Sequence, residues 1–224
     1  MIRCVVFDFD GTLVDSNAIK RQTFFDVAAE HDPLGETVRV VLDDIRPGDR
    51  YAIAREIAQR LCARGMLDAS DGFETWAHRL ADDYTRRCEE AVSKCPEIPG
   101  ALPCLEWLGA RGIDCFVNSA TPEEPLRVTV RRRSLDRHFR GILGGPTDKF
   151  ANLARILEEV GTEPRELLMV GDGEDDRRAA DDVGCHFAGV VPPGGGRFEQ
   201  EPAHPIEDLS GLPELIERLG EVSP

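Results

Sequence analysis

Two aspartates near the N terminus, Asp8 and Asp10, are separated by one residue and directly follow a short apolar run at residues 4–7. Such a run is typical of a strand buried on both faces of a parallel sheet. Because side chains alternate along an extended segment, both carboxylates would point the same way from the end of this strand. Two carboxylates in one small space need a compensating cation, so the pair predicts a divalent metal, most simply Mg2+.

Gly11 and Thr12 follow the two aspartates and indicate a sharp turn. Glycine allows the chain to reverse tightly and to bring backbone N–H groups close to an anion. We therefore expect Gly11 and Thr12 to contact a negatively charged substrate.

A second polar segment, Asn118, Ser119 and Ala120, ends the strand predicted over residues 113–117. Thr121, Pro122 and Glu124 follow with the spacing of a capping box and a proline at the first helical position. This pattern predicts that a helix begins at Pro122 and that Ser119 lies just before its N terminus. Such a position is favourable for an anion.

Lys149 is one of only three lysines among 27 Lys and Arg residues, and it begins the helix predicted over residues 149–160. The helix dipole disfavours a cation in the first turn, so a purely structural lysine is unexpected there. A compact ammonium on a flexible stem fits between a phosphate and carboxylates.

An acidic cluster follows the strand predicted over residues 166–170. Asp172, Asp175 and Asp176 lie there, directly after Gly171. Because the carboxyl ends of parallel strands meet at one edge of a sheet, we expect some of these carboxylates beside Asp8 and Asp10.

These segments resemble, in order, the four motifs of the haloacid dehalogenase-like (HAD) hydrolase superfamily. The first motif is Asp-Phe-Asp-Gly-Thr-Leu-Val-Asp-Ser at residues 8–16, and the fourth is Gly-Asp-x-x-x-Asp at residues 171–176. The resemblance implies that Asp8 is the nucleophile and Asp10 the general acid/base. It also implies that Ser119, the second motif, holds the transferring phosphoryl group, with Asn118 and Ala120 as neighbouring substrate contacts.

The same resemblance assigns Lys149 as the third motif, where it offsets the negative charge on Asp8 and the phosphoryl group. Asp172 is then a direct metal ligand together with Asp8 and Asp10. Asp176 is either a further ligand or an acceptor for Lys149. Asp175 stays open as an alternative to Asp176, because the acidic cluster allows a shift of one residue.

The segment between the first two motifs, residues 17–96, has apolar residues at helical spacing in three stretches, 17–31, 49–64 and 72–94. It predicts an all-helical insertion. Residues 1–16 and 97–224 alternate between strands and helices, which predicts a doubly wound, largely parallel, Rossmann-like α/β core. The resemblance implies that the insertion is a cap domain over the site.

Within this insertion, the stretch 46–50 reads Arg-Pro-Gly-Asp-Arg. Arg50, beside a helix break, is a candidate to bind a phosphate or sugar group of the substrate. The alternative is a solvated helix start with Asp49 as its N-cap.

The formal net charge of −15 argues against nucleic acid or an anionic membrane as a partner. The seven cysteines contain no Cys-x-x-Cys pair and predict reduced thiols in a cytoplasmic protein. No N-terminal signal is expected, because the first apolar run is short and leads into Asp8. A monomer and a homodimer both remain possible.

The function implied by the resemblance is Mg2+-dependent hydrolysis of a small phosphorylated metabolite, as in phosphoglycolate-phosphatase-like members. One alternative is a sugar phosphomutase of the beta-phosphoglucomutase type. Another is a binding module without turnover.

Overall fold

The computed structural model describes residues 1–44, 50–68, 70, 72–193 and 198–221. The strands in these ranges are β1 (Cys4–Phe7), β2 (Asp114–Pro122), β3 (Gly141–Gly145), β4 (Leu167–Gly171), β5 (His186–Val190) and β6 (Pro205–Ile206). The α-helices in the same ranges are α1 (Asn17–Ala28), α2 (Glu36–Asp44), α3 (Arg50–Ala63), α4 (Phe73–Val92), α5 (Ala101–Ala110), α6 (Glu123–Arg132), α7 (Lys149–Val160), α8 (Glu174–Val183) and α9 (Leu212–Glu221).

The six strands form one sheet in the order β3-β2-β1-β4-β5-β6, and each neighbouring pair is parallel. The chain builds outward from β1 in one direction and then returns to build outward in the other. Because crossovers between parallel strands are right-handed, this reversal places helices on both faces of the sheet. The predicted doubly wound α/β fold is confirmed.

The first strand lies in the middle of the sheet, and all four of its residues are completely buried. Phe7 is in register with Val117 of β2 on one side and Val170 of β4 on the other. The ladder continues one step further, since the Asp8 N–H donates to the Val170 carbonyl at 2.8 Å. Asp8 therefore leaves the sheet between the carboxyl ends of β2 and β4, at the switch point where α/β sheets bind ligands.

The chain divides into two compact units, one made of Met1–Asp15 with Cys95–Pro224 and the other of Ser16–Lys94. The predicted boundaries differ from these by one residue at the first crossing and by two at the second. The second unit contains α1 to α4 around its own apolar core, in which the rings of Phe24 and Tyr84 stack with centroids 4.0 Å apart.

Helix α2 was not among the three helical stretches expected from the sequence. Its Thr and Val residues are β-branched and have weak helix propensity, so the local pattern does not favour a helix. Burial of Thr37, Val38 and Val41 stabilises it instead, and the Asp32 carboxylate accepts the Val38 N–H at 2.9 Å. Of the stretch 46–50, only Arg50 is described; Arg46, Pro47, Gly48 and Asp49 lie outside the described residues.

The predicted start of α6 is wrong. Strand β2 continues through Pro122, and α6 begins at Glu123 without a side-chain cap, so Thr121 is not an N-cap residue. The hydrogen-bond register between β2 and β3 shifts between Asn118 and Pro122. This irregularity changes the direction of the strand end that carries the second motif.

None of the helices in the described ranges combines the length and the apolar character needed to cross a membrane.

Within the first unit, the two chain segments that lead into and out of the second unit are hydrogen-bonded to each other. The Asp15 N–H donates to the Pro96 carbonyl and the Ile98 N–H to the Leu13 carbonyl, both at 3.0 Å. Arg133 is buried in this region, with 4% of its side chain exposed. Its guanidinium donates to the Glu97 carboxylate at 2.6 Å.

Neutralising Glu97 removes the negative charge beside the buried Arg133 guanidinium. We expect Glu97→Gln to lower the free energy of unfolding by about 2 kcal/mol, because the amide oxygen of Gln accepts from the guanidinium but does not offset its buried charge. The control is Glu90→Gln, which removes the solvent-exposed ion pair of Glu90 with Lys94. Urea unfolding of both variants measures the difference, and an equal effect would contradict a stabilising role for the buried pair.

Candidate active site

Three carboxylates converge at the switch point of the sheet. Asp8 follows β1, Asp172 follows β4 and Asp176 lies in the first turn of α8, and one oxygen of each falls within 4.8 Å of the others. Gly171 is required for this approach, because a Cβ at that position would lie 2.2 Å from the carboxyl carbon of Asp176. The glycine of the fourth motif thus allows α8 to bring its carboxylate against the end of β4.

The Lys149 ammonium lies among these carboxylates. Its Nζ is 3.1 Å from Asp8 Oδ2, 2.5 Å from Asp176 Oδ1 and 2.9 Å from Asp175 Oδ2. Lysine in the first turn of a helix is unfavourable for the dipole, but several carboxylates at contact distance outweigh that cost. Asp148 precedes it as the N-cap, and its carboxylate accepts the Ala151 N–H at 2.7 Å.

Among the described residues of this cluster, carboxyl groups outnumber ammonium groups. Asp8, Asp172 and Asp176 are buried beside the buried Lys149 ammonium, which Asp175 also contacts. Burial raises the pKa of Asp8, and the nearby Lys149 ammonium opposes that rise. Burial also tends to lower the pKa of Lys149, but its carboxylate neighbours, led by Asp8, outweigh this and raise it. The ammonium therefore stays charged, and burial also raises the pKa of Asp176.

A divalent cation fits this arrangement. Mg2+ prefers carboxylate oxygens, and three of them lie within 4.8 Å of one another here. The geometry separates the two alternatives at the fourth motif: Asp176 is fully buried within the cluster, whereas the Asp175 side chain is 54% exposed. Asp10, expected as a further metal ligand, is not one of the three converging carboxylates.

Asp10 is oriented toward the end of β2. Its Oδ2 accepts a hydrogen bond from the Thr121 hydroxyl at 3.0 Å. Ser119 lies on the same strand end, nearly fully buried, and its Oγ accepts the Thr121 N–H at 3.2 Å. The structure thus brings Asp10 to the strand that carries Ser119. Sequence analysis missed Thr121, although its two-residue offset from Ser119 along a strand was a usable signal.

Asn118 connects the end of β2 to the start of α7. It is fully buried, its Nδ2 donates to the Lys149 carbonyl at 2.9 Å, and its Oδ1 accepts from Asn152 at 3.0 Å. These bonds fix the first turn of α7 to the end of β2. Asn118 thus supports Lys149 together with Asn152, which sequence analysis did not identify, and its contact with substrate stays a prediction.

The remaining expected contacts differ in their surroundings. Gly11 has φ of 78° and makes the turn, but its N–H donates to the Val14 carbonyl at 2.8 Å rather than pointing to an anion. The Thr12 hydroxyl is buried and has no hydrogen-bond partner. Ala120 is exposed at the end of β2. Arg50, in the helical unit, donates to the Thr85 hydroxyl at 3.0 Å and packs 5.7 Å from the Tyr84 ring centroid.

Comparison with known proteins gives consistent results. The family model of haloacid dehalogenase-like hydrolases matches residues 2–184. A phosphoglycolate phosphatase from Rhodospirillum rubrum is 30% identical over 198 residues, which cover 82% of this chain and 77% of that protein.

Two solved structures share the fold. A predicted phosphoglycolate phosphatase from Haemophilus somnus superposes with a TM-score of 0.77 at 19% identity, covering 96% of this chain and 98% of the other. A protein from Thermotoga maritima assigned as a beta-phosphoglucomutase gives a TM-score of 0.72 at 19% identity, covering 97% and 99%.

Replacing Lys149 tests the charge balance of the cluster without measuring turnover. In metal-free buffer we expect Lys149→Met to destabilise the protein by about 3–5 kcal/mol, because it leaves buried carboxylates without their cation. Added Mg2+ should raise the melting temperature of this variant more than that of the wild type. Without the Lys149 charge the site is more negative and binds a cation more tightly.

The control for this test is Lys94→Met, which removes a lysine whose side chain is 71% exposed. Its Mg2+ response should match that of the wild type. A second variant, Asp172→Asn, should reduce the Mg2+ response. Equal Mg2+ shifts in Lys149→Met and the wild type would contradict a cation site beside Lys149.

Proposed function

This chain belongs to the haloacid dehalogenase-like hydrolase family, and we propose that it is a phosphatase that hydrolyses a small-molecule phosphate monoester through an aspartyl phosphate on Asp8. The observation that carries the proposal is the buried contact of the Asp8 carboxylate with Lys149, beside the carboxylates of Asp172 and Asp176. An anionic nucleophile can accept a phosphate dianion beside it only where cations offset the repulsion between them.

The first half of the reaction follows from the orientation of two aspartates. The Asp8 carboxylate is fixed through both oxygens, with Oδ1 accepting the Phe9 N–H at 2.6 Å and Oδ2 accepting from Lys149. It attacks phosphorus, the bond from phosphorus to the ester oxygen breaks, and Asp10 gives its proton to the leaving alkoxide.

In the second half, Asp10 takes a proton from water, and that water attacks the phosphorus of the aspartyl phosphate. Inorganic phosphate leaves and the Asp8 carboxylate is restored. In this proposal Ser119, at the end of β2, donates its hydroxyl proton to a phosphoryl oxygen; in support, its Oγ accepts rather than donates in its bond with the Thr121 N–H. Lys149 offsets the negative charge in both halves.

We propose Mg2+ as the cofactor, held by Asp8, Asp172 and Asp176. When bound, it supplies positive charge that draws the phosphoryl group toward Asp8 and neutralises charge developing on its oxygens. The burial of these carboxylates and the convergence of their oxygens within 4.8 Å support this assignment.

The substrate proposed is a small phosphorylated metabolite of the phosphoglycolate type, as the name of the Rhodospirillum rubrum relative indicates for that protein. We propose that the helical unit, Ser16–Lys94, is the cap that selects it. A mutase would transfer phosphate between positions of one sugar, whereas a phosphatase releases it as inorganic phosphate. The cytoplasm remains the proposed compartment, supported by the seven cysteines, none of which forms a disulfide.

Purified protein with Mg2+ should release phosphate from one or more members of a panel that contains 2-phosphoglycolate and hexose phosphates. Asp8→Asn should lower kcat by on the order of 10³-fold or more, because the amide is not a nucleophile. The matched control is Asp182→Asn, which changes an exposed aspartate of α8. Rapid quenching followed by mass spectrometry should find a phosphoryl group on Asp8 of the wild type. Turnover by Asp8→Asn at the wild-type rate would disprove the mechanism.

Arg50 is proposed as a substrate contact of the helical unit. Arg50→Ala should raise KM for the physiological substrate about tenfold and change KM for an aryl phosphate less, because an aryl group lacks the anionic or hydroxyl groups that a guanidinium binds. Arg55→Ala is the control, since Arg55 lies on the same helix and pairs with Glu74 at the surface. Equal effects on the KM of both substrates would show that Arg50 does not recognise the physiological substrate.

A further inference from the structure

The hydrogen bond between Thr121 and Asp10 connects two distant parts of the chain. The Thr121 hydroxyl lies 3.0 Å from Asp10 Oδ2, although 111 positions separate the two residues. Thr121 is partly buried and stands at the end of β2, whereas Asp10 follows β1. This contact is independent of the Lys149 cluster, because Lys149 donates to other carboxylates.

The backbone around Thr121 is irregular where this contact forms. The register between β2 and β3 shifts within the stretch from Asn118 to Pro122, and such a bulge redirects the side chains it contains. Gly144 of β3 packs against the Thr121 carbonyl so closely that a Cβ there would lie 2.4 Å from the oxygen. The neighbouring strand therefore accommodates the bulge by having no side chain at that point.

A second bond fixes Thr121 from the other side. Its N–H donates to the Ser119 Oγ at 3.2 Å. The backbone of Thr121 is thus held by the proposed phosphoryl contact Ser119, while its side chain holds Asp10. Thr121 links the group that binds the phosphoryl oxygens to the group that exchanges the proton.

We propose that Thr121 is a positioning residue for Asp10, whose hydroxyl keeps the carboxyl directed toward the leaving oxygen bound next to Ser119. The inference rests on the proposed function, in which Asp10 protonates the leaving alkoxide as the bond from phosphorus to the ester oxygen breaks. Without the hydroxyl, Asp10 can rotate about its side-chain bonds, and a correctly placed proton is available less often.

The test compares two leaving groups in Thr121→Val, which keeps the shape of the side chain and removes the hydroxyl. For an alkyl phosphate, kcat should fall about 10- to 100-fold while KM changes little, because an alkoxide is a poor leaving group and needs the proton. For 4-nitrophenyl phosphate, whose leaving group is already acidic, kcat should fall less. Thr121→Ser, which restores a hydroxyl, should recover most of the loss.

Two further variants separate positioning from a structural effect. Thr129→Val removes a buried threonine hydroxyl from α6, where it donates to the Pro125 carbonyl, and should leave both rates near the wild-type values. Thr121→Val combined with Asp10→Asn should be no slower than Asp10→Asn alone, because the two residues act as one unit.

The possible outcomes are distinct. Equal loss on both substrates, or additive losses in the double variant, would overturn the positioning role, as would an unchanged alkyl phosphate rate in Thr121→Val. A wild-type protein that hydrolyses neither substrate, nor any other phosphate ester of the panel, would instead overturn the proposed function.

Discussion

The arrangement of the site depends on the ionic contacts of the buried Lys149 ammonium. This ammonium holds the carboxylate that ends β1 and the carboxylate that begins α8 within contact of one cation. Without it, the buried carboxylates would lose their neighbouring positive charge, and the fold would be destabilised unless another cation took its place. Asn118 and Asn152 fix the first turn of α7, which carries Lys149. Gly171 leaves space for the Asp176 carboxylate that Lys149 contacts.

The order of strands determines which groups can meet. Because β1 lies between β2 and β4, the residues that follow these three strands share one edge of the sheet. Asp8 comes from the middle strand, the acidic cluster from one neighbour, and Ser119 and Thr121 from the other. Charged carboxylates are thus supplied by β1 and β4, and neutral hydroxyl groups by β2.

The two sides of the site differ in how they hold their side chains. On the side of β4, ionic contacts dominate, and the net negative charge favours a cation. On the side of β2, neutral hydrogen bonds from a bulged strand orient Asp10 and Ser119. This difference matches the two proposed roles. Charge neutralisation requires a strong electrostatic field, whereas proton transfer requires a carboxyl group whose orientation is fixed.

The sequence by itself determined the fold class, the parallel sheet and the residues that end its strands, because buried apolar runs and the acidic positions after them are local patterns. It did not determine that Thr121 contacts Asp10, that Asn118 supports Lys149, or that Asp176 rather than Asp175 is buried in the cluster. These contacts form between segments that are distant in the sequence. The irregular end of β2 packs against Gly144, and Asp176 of α8 packs against Gly171. Local propensity contains no information on such contacts, so only the tertiary structure decided them.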